Sequence, residues 1–438
     1  MTNRHDNFSD PANSAPQQIS LPLSPIQVAK ALQNLPEMIF FDSSGNLPQS
    51  SGPAISIIAA KPISVIQGNI HSDDDLQQLR NAIKPWQKNS AATRHIYNFP
   101  TGGACGTVDY EGSFSFGIYP EMLIYLHKDN EWLQCGNLSE EITKNQNTTQ
   151  CPAPTNKLVI GAFKASMTQA EYEAKVRKIH EYIAAGDIYQ VNLTQSFEAD
   201  TSSGLLFKLY EHLRDLTPAP QSTWMNFCGR EVLSSSPETF LHISNKKIET
   251  RPIKGTRPRF SDPLQDEASA EKLLSSEKEI AELVMITDLE RNDLGKICEF
   301  GSVRVTDMLR LEKLAQVHHL VSTVTGTLRP EIDHISALQA CFPGGSITGA
   351  PKKRAMEIIK ELEPSSRGLY TGAIGYFGFN QESQFNIPIR TIIRENQRIH
   401  YHVGAGIVTD SSPSAEYQET LDKAKGIRLA IQSLAEQR

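Results

Sequence analysis

Several things this sequence lacks narrow what it can be. Its six cysteines, at 105, 135, 151, 228, 298 and 341, form no Cys-x-x-Cys pair. That argues against a thiolate zinc site and fits reduced thiols in a cytoplasmic protein. The longest apolar stretch, Ile55 to Ile66, is broken by Lys61 and Pro62. It falls well short of the about 20 apolar residues that a membrane-spanning helix needs. The first residues lack the apolar core of a secretory leader. Positive charge is not in surplus either. A net charge of −7 argues against general nucleic-acid binding, which needs a basic stripe.

What is present is ordinary in bulk. The chain has 438 residues, 39% hydrophobic and 21% charged, close to an average globular protein. That length suits two to three domains or one large intertwined one. Residues 1–20 are polar and rich in Asn, Ser, Pro and Gln, and read as a disordered tail. Residues 21–160 form an N-terminal segment of short apolar runs, read as strands with a few helices. Tyr110 to Tyr119 is aromatic and Gly-rich, which reads as buried sheet or a pocket lining; residues 139–158 read as a polar loop. The patterns sharpen in residues 161–438.

Thr168-Gln-Ala-Glu171 is a capping box that opens a helix, with Gly186 as its stop. Ile188 to Phe197 alternates as a strand: Tyr189, Val191 and Leu193 on one face, Gln190, Asn192 and Thr194 on the other. That polar row faces either water or a polar cavity. Glu238 follows Pro237 at the end of another short strand. In Arg251-Pro-Ile-Lys-Gly-Thr-Arg-Pro-Arg259, Lys254 lies at the end of an extended run, just before a loop. It is either an aimed side chain or a solvated lysine of a basic patch. One long helix is predicted over about 267–296 and another over 414–437. Each carries a Glu-x-x-Glu pair on one face, Glu279 with Glu282 and Glu416 with Glu419. Two such pairs could converge on a hard cation such as Mg²⁺, or simply face solvent.

Gly344-Gly-Ser-Ile-Thr-Gly-Ala-Pro-Lys352 resembles a phosphate loop, but Ala350 stands where that motif needs lysine. What remains is a Gly-rich turn feeding a helix, whose backbone N–H groups could hold any anion. Three runs follow, Leu369 to Phe379, Phe385 to Ile393 and Ile399 to Val408, read as an antiparallel meander. Arg390 sits among apolar residues in the middle run, where a cation is paired or binds an anion. Gly404-Ala405-Gly406 allows close approach of a ligand.

From about Phe163 to Leu429 the chain resembles the chorismate-utilising enzymes, which include anthranilate, aminodeoxychorismate, isochorismate and salicylate synthases. The stretches that carry the resemblance stand in the family's order. They are Ile188-Tyr-Gln-Val-Asn-Leu-Thr-Gln195, Met285-Ile-Thr-Asp-Leu-Glu-Arg-Asn-Asp-Leu-Gly295, Gly345-Ser-Ile-Thr-Gly-Ala-Pro-Lys352, Tyr370-Thr-Gly-Ala-Ile-Gly-Tyr376 and Gly404-Ala-Gly-Ile-Val408. The resemblance implies an α+β fold, two large antiparallel sheets packed as a sandwich with helices outside. Two positions point to one branch. Pro-Ile-Lys254-Gly-Thr256 is similar to the aminodeoxychorismate synthases, whereas anthranilate synthases typically have alanine at the lysine. Gln190 stands where isochorismate and salicylate synthases carry a water-activating lysine.

Roles follow by the same resemblance. Glu282 and Glu419 would bind Mg²⁺, assisted by Glu279 and Glu416. Arg390, Tyr370, Ser346, Gln190, Thr256 and the Gly404–Gly406 backbone through Ala405 would hold chorismate, with Lys423 nearby. Ser346 replaces a common threonine and keeps its hydroxyl. Glu238 would be the general acid and Lys254 the nucleophile. His319 would sit beside the ring, the alternative being a satisfied core histidine. Arg251, Arg257 and Arg259 are the neighbours expected to free the lysine's lone pair. Ammonia would come from a separate glutamine amidotransferase subunit, because no cysteine lies in a Gly-x-Cys-x-Gly elbow; Cys105, in Gly-Ala-Cys-Gly-Thr, comes nearest. The product would be 4-amino-4-deoxychorismate, on the way to 4-aminobenzoate and folate. Two alternatives are an anthranilate synthase component I with Lys254 incidental, and an inactive subunit that only docks a glutaminase.

Overall fold

Every ladder between the named strands is antiparallel, and the strands form two large sheets. The computed structural model describes residues 15–44, 54–89, 96–147, 158–202, 204–314 and 317–436. One sheet has twelve strands and the other ten. They pack face to face, and consecutive residues bury themselves on opposite faces. In the strand Gln221–Phe227, Met225 points into the core between the sheets, and Trp224 into the core under the outer helices. Ile39 and Phe40 divide in the same way in Met38–Asp42. This explains the near-continuous apolar runs, since a strand covered on both faces has no polar side. Among the described residues, no helix is long and apolar enough to cross a membrane.

Both sheets draw strands from either side of residue 160. Met38–Asp42 pairs with Gln221–Phe227, and Gly103–Val108 with Ala373–Gly378. Tyr110 to Tyr119 is largely sheet, in the strand Ser113–Tyr119, as its pattern allowed.

Five local readings are corrected. Gln17–Ile19, inside the predicted tail, is an edge strand paired with Glu131–Cys135; residues 1–14 lie outside the described residues. The predicted loop at 139–158 begins with a helix, Glu140–Asn147. The predicted helix over 267–296 is two helices, Pro263–Leu274 and Glu277–Gly295, the second started by Ser276 in extended geometry. The C-terminal helix is also two, Pro413–Lys423 and Lys425–Glu436. The middle strand of the meander splits: Glu382–Asn386 belongs to the ten-stranded sheet and Thr391–Glu395 to the twelve-stranded one. The chain crosses between sheets at residues 387–390, so Arg390 stands on a crossing and not within a strand.

Candidate active site

The crossing at 387–390 has a neighbour. The strand Arg230–Ser236 lies in the twelve-stranded sheet and Thr239–Ser244 in the other, joined by Pro237-Glu238. The two crossings are laced together. Ser236 Oγ donates to Ile387 O at 2.6 Å, Ile387 N–H to Glu238 O at 3.2 Å, and Ser235 N–H to Arg390 O at 3.1 Å. A carboxylic acid and a guanidinium are thereby mounted side by side where the sheets join.

Glu238 is buried, and its Oε1 has no hydrogen-bond partner among the described residues. Burial raises its pKa, against the pull of Ser346, Lys254, the Ile253 backbone and Lys423. Ser346 Oγ lies close enough to exert that pull but makes no well-directed bond. Such a carboxyl holds its proton longer than an exposed one and can donate it. Arg390 adopts a left-handed backbone, φ 51°, a geometry that is costly for a side-chain-bearing residue and needs support from its surroundings. Its guanidinium has no hydrogen bond or ion pair among the described residues. Burial lowers its pKa and Glu238 opposes that. A half-buried cation without a partner calls for an anion.

Lys254 is not before a loop. It lies in the strand Ile253–Pro258, whose pairing with Val317–Thr327 slips between Lys254 and Thr256. Gly255 is the bulged residue, at φ 74°, where a side chain would be strained. Lys254 Nζ lies 3.9 Å from Glu282 Oε2. A Cβ on Gly406 would lie 2.4 Å from Gln190 Nε2 and 3.4 Å from Lys254 Nζ. Lys254 and Gln190 therefore meet over a glycine. Gln190 is fully buried, and both polar atoms of its amide lack partners among the described residues. The polar row of its strand is thus turned inward rather than to water: Asn192 Nδ2 donates to Ser346 O at 2.9 Å, and Thr194 is buried. Two of the three arginines expected to help Lys254 are engaged elsewhere: Arg251 pairs with Glu312, and Arg259 with Asp266 at 2.8 Å.

His319 is opposite Thr256 in the ladder, and its Nδ1 is 2.9 Å from Thr256 Oγ1. Its Nε2 is buried without a partner among the described residues. Burial and Arg390 push its pKa down to about 3, so it is neutral at physiological pH. It is only half-satisfied, unlike the core histidine of the alternative reading.

The four glutamates stand on two helices. Glu279 and Glu282 lie near the start of Glu277–Gly295, and Glu416 and Glu419 in Pro413–Lys423. Lys278 links them, with Nζ 3.1 Å from Glu416 Oε1 and 4.0 Å from Glu282 Oε1. Glu416 Oε1 also accepts from Ser411 Oγ at 2.7 Å, whereas its Oε2 is buried without a partner among the described residues. Burial raises the pKa of Glu282, with Lys254 opposing. Burial also pulls Glu419 upward, but Lys423, Lys278 and Lys254 outweigh it and leave it low. Among the described residues, no three His, Cys, Asp or Glu side chains already form a metal-binding group. The donors nevertheless suit a hard cation. All are carboxylates, and one buried oxygen is free.

The Gly-rich turn is seated along the Gln190 strand. Tyr189 N–H donates to Ala350 O and Asn192 N–H to Thr348 O, both at 2.8 Å. A Cβ on Gly349 would meet Gln190 O at 2.2 Å. Ser346 Oγ is left buried and without a partner among the described residues. Tyr370 stacks on His402, with ring centroids 5.2 Å apart, and lies near enough to feel Glu238. Lys423 Nζ donates to Gly404 O at 2.9 Å and pairs with Glu419 at 2.8 Å. Ala405 lies between the two glycines, paired with Leu193.

Several participants escaped the sequence reading. Lys278 looked like one more helix-surface charge. Arg367 is fully buried: it pairs with Glu363 and donates to Ile347 O at 2.9 Å and Asn192 O at 3.0 Å, pinning the turn to the strand. Glu290 lies beneath Gly345 and accepts from Thr250 Oγ1 at 2.8 Å. Burial, joined by Glu238 and Asp293, raises its pKa to about 8. Lys352, at the end of the Gly-rich turn, is anchored by Asp293 and by Pro343 O at 2.7 Å.

A family model described as chorismate binding enzyme matches residues 42–428. Aminodeoxychorismate synthase component 1 of Bacillus subtilis is 36% identical over 429 residues, covering 88% of this chain and 91% of that protein. An anthranilate synthase component 1 of Haloarcula marismortui is 46% identical over 269 residues, covering 61% of this chain and 55% of that protein. The crystal structure of anthranilate synthase component I from Streptococcus pneumoniae superposes with a TM-score of 0.74 at 31% identity, covering 94% of this chain and all of that one. The menaquinone-specific isochorismate synthase of Escherichia coli shares the fold, with a TM-score of 0.74 at 18% identity, covering 95% of this chain and 93% of that one.

Proposed function

The chain belongs to the chorismate binding enzyme family, and from that premise we propose that it is an aminodeoxychorismate synthase component I. It would convert chorismate and ammonia to 4-amino-4-deoxychorismate, the ammonia coming from a separate glutamine amidotransferase subunit. One observation carries the choice: Lys254 Nζ and the Gln190 amide meet over Gly406, and Glu238 is near enough to feel the lysine's charge.

The carboxylates of Glu279, Glu282, Glu416 and Glu419 would hold Mg²⁺. When bound, that ion supplies charge neutralisation for the ring carboxylate and fixes the ring's orientation. Arg390 and the hydroxyl of Ser346 bind the anionic groups of the substrate. Gln190 completes its two unmade hydrogen bonds on the ligand. The neutral amine of Lys254 attacks C2 of the ring diene. The double bonds shift, and the C4–O bond breaks. Glu238 gives its proton to the departing oxygen, which leaves as water. Ammonia then attacks C4, the double bonds shift back, and the C2–N bond to Lys254 breaks. Glu238, now a carboxylate, takes the surplus proton from the new amine. Two allylic displacements give retention at C4, and the enolpyruvyl group stays on the ring. Neutral His319 presents Nε2 beside Arg390 as an uncharged partner for the substrate.

Anthranilate synthase is the second reading. The 3.9 Å contact between Lys254 and Glu282 favours it, because a lysine can serve there as a counter-ion only. Product identification separates the two. Purified chain, chorismate, Mg²⁺ and an ammonium salt should give 4-aminobenzoate only after an aminodeoxychorismate lyase is added. Fluorescent anthranilate without lyase would establish the second reading instead.

A further inference from the structure

We propose that Lys278 is a built-in counter-ion of the four-glutamate site, and that the divalent cation must displace it. The inference rests on the reading that these carboxylates hold Mg²⁺. Lys278 Nζ sits between Glu282 Oε1 and Glu416 Oε1, at 4.0 and 3.1 Å. These oxygens belong to different helices, so the lysine is a bridge and not an ordinary intrahelical pair. Carboxylates brought together from two elements repel unless a cation lies between them. The ammonium fills that role, keeping the helices in register before a metal arrives.

Three lysines touch the quartet, but they differ. Lys254 stands beside Gln190, and Lys423 also donates to Gly404 O at 2.9 Å. Lys278 has no partner but the two glutamates among the described residues, and its side chain is 43% exposed. A half-exposed lysine on a flexible stem swings into water at little cost. Glu416 Oε2 is free for a cation, but a divalent ion bound by Glu282 and Glu416 would stand on the same carboxylates as the ammonium, and like charges that close repel. One leaves as the other enters. The lysine therefore reduces apparent metal affinity to the fraction of molecules in which it has left the site.

The test uses the full-length protein without chorismate. Acetic anhydride footprinting read by mass spectrometry should show Lys278 labelling rise several-fold on saturation with Mg²⁺. Lys272, an exposed lysine on the preceding helix, should not change. By calorimetry, Lys278→Gln should bind Mg²⁺ about tenfold more tightly, as expected if the ammonium holds nine sites in ten. Lys272→Gln, which removes a charge without that contact, should shift the affinity less than about twofold. Heat of Mg²⁺ binding with unchanged Lys278 labelling would overturn the displacement and leave the metal reading standing. So would a Lys278→Gln affinity no tighter than wild type. No binding by the wild type would overturn both. The footprinting arm needs no variant, so a misfolded substitution cannot shield the proposal.

Discussion

Lys254, on a bulged strand, and Glu282, on a helix, face each other across 3.9 Å. An amine engaged with a carboxylate is not a nucleophile, so this pair must open before Lys254 can attack carbon. Lys254→Ala should slow aminodeoxychorismate formation by orders of magnitude. Wild-type enzyme quenched with chorismate and no ammonia should carry a chorismate-derived adduct on the Lys254 peptide. An unmodified peptide together with near-normal rates in the alanine variant would reduce Lys254 to a counter-ion.

The glutamates are testable by metal removal. EDTA should abolish turnover and Mg²⁺ should restore it. Glu282→Gln and Glu419→Gln should each be inactive while melting within a few degrees of wild type. Full activity in metal-free buffer would refute the assignment.

The nitrogen source comes next. The chain alone should use ammonium salts and leave glutamine untouched, because Cys105 is fully buried in the strand Gly103–Val108, with its thiol pKa driven up by burial. Glutamine should become a substrate only when an amidotransferase subunit is added. Glutamine-dependent turnover by the purified chain would contradict this.

Gly406 makes a sharper structural test. Its backbone does not need glycine, since its φ is not among the left-handed ones. An added Cβ would nevertheless collide with the Gln190 amide at 2.4 Å. Gly406→Ala should therefore displace Gln190 and Lys254, lowering kcat at least about tenfold with a thermal midpoint within a few degrees of wild type. Normal kinetics would mean that Gln190 does not face the substrate.

Glu290 predicts a pH effect on stability. Burial raises its folded pKa to about 8 from the usual 4.5. A raised pKa contributes stability that is complete below about 4.5 and lost as pH climbs toward 8. The loss is on the order of 5 kcal/mol at most. Glu290→Gln keeps the acceptor for Thr250 and removes the titration. The variant should melt near wild type at pH 5 and above it at pH 8. His319, neutral down to about 3, acts oppositely. It loses stability as pH falls below its usual 6.5, so wild type and variant must be compared at each pH. Parallel melting curves from pH 5 to 9 would show that Glu290 is already ionised.

The sequence revealed much of this protein where the physics is local. The Thr168 capping box forms, with Thr168 Oγ1 accepting from Glu171 N–H at 3.3 Å, and the alternating strand after Ile188 is a strand. Local chemistry hid other features. Phe385 to Ile393 is a continuous apolar run because both halves are buried, so nothing marks the change of sheet inside it. Ser275-Ser276 resembles any polar helix position, yet Ser276 starts a new helix. In the site, the resemblance and not residue type singled out Glu238, Lys254 and the four glutamates, and the fold brings Lys254 close to Glu238 and Glu282. The partners of Arg251 and Arg259, and the bridge made by Lys278, depend on long-range packing that no spacing encodes. Lys278 in particular sits beside Glu279, which masks it as an ordinary surface charge.

The way the sheets recruit their strands bears on how the chain is made. Arg398–Ile407 lies between Thr391–Glu395 and Gln190–Asp200, and Ala373–Gly378 between Gly103–Val108 and Glu382–Asn386. A ribosome delivering this polypeptide releases Met38–Asp42 long before its neighbour Gln221–Phe227 exists, and Gly103–Val108 longer still before Ala373–Gly378. Early strands wait with open edges, and contacts this distant in sequence form slowly. The nascent chain therefore carries unpaired strand edges until its last strands emerge, and cutting it near residue 160 would leave two fragments with half-built sheets.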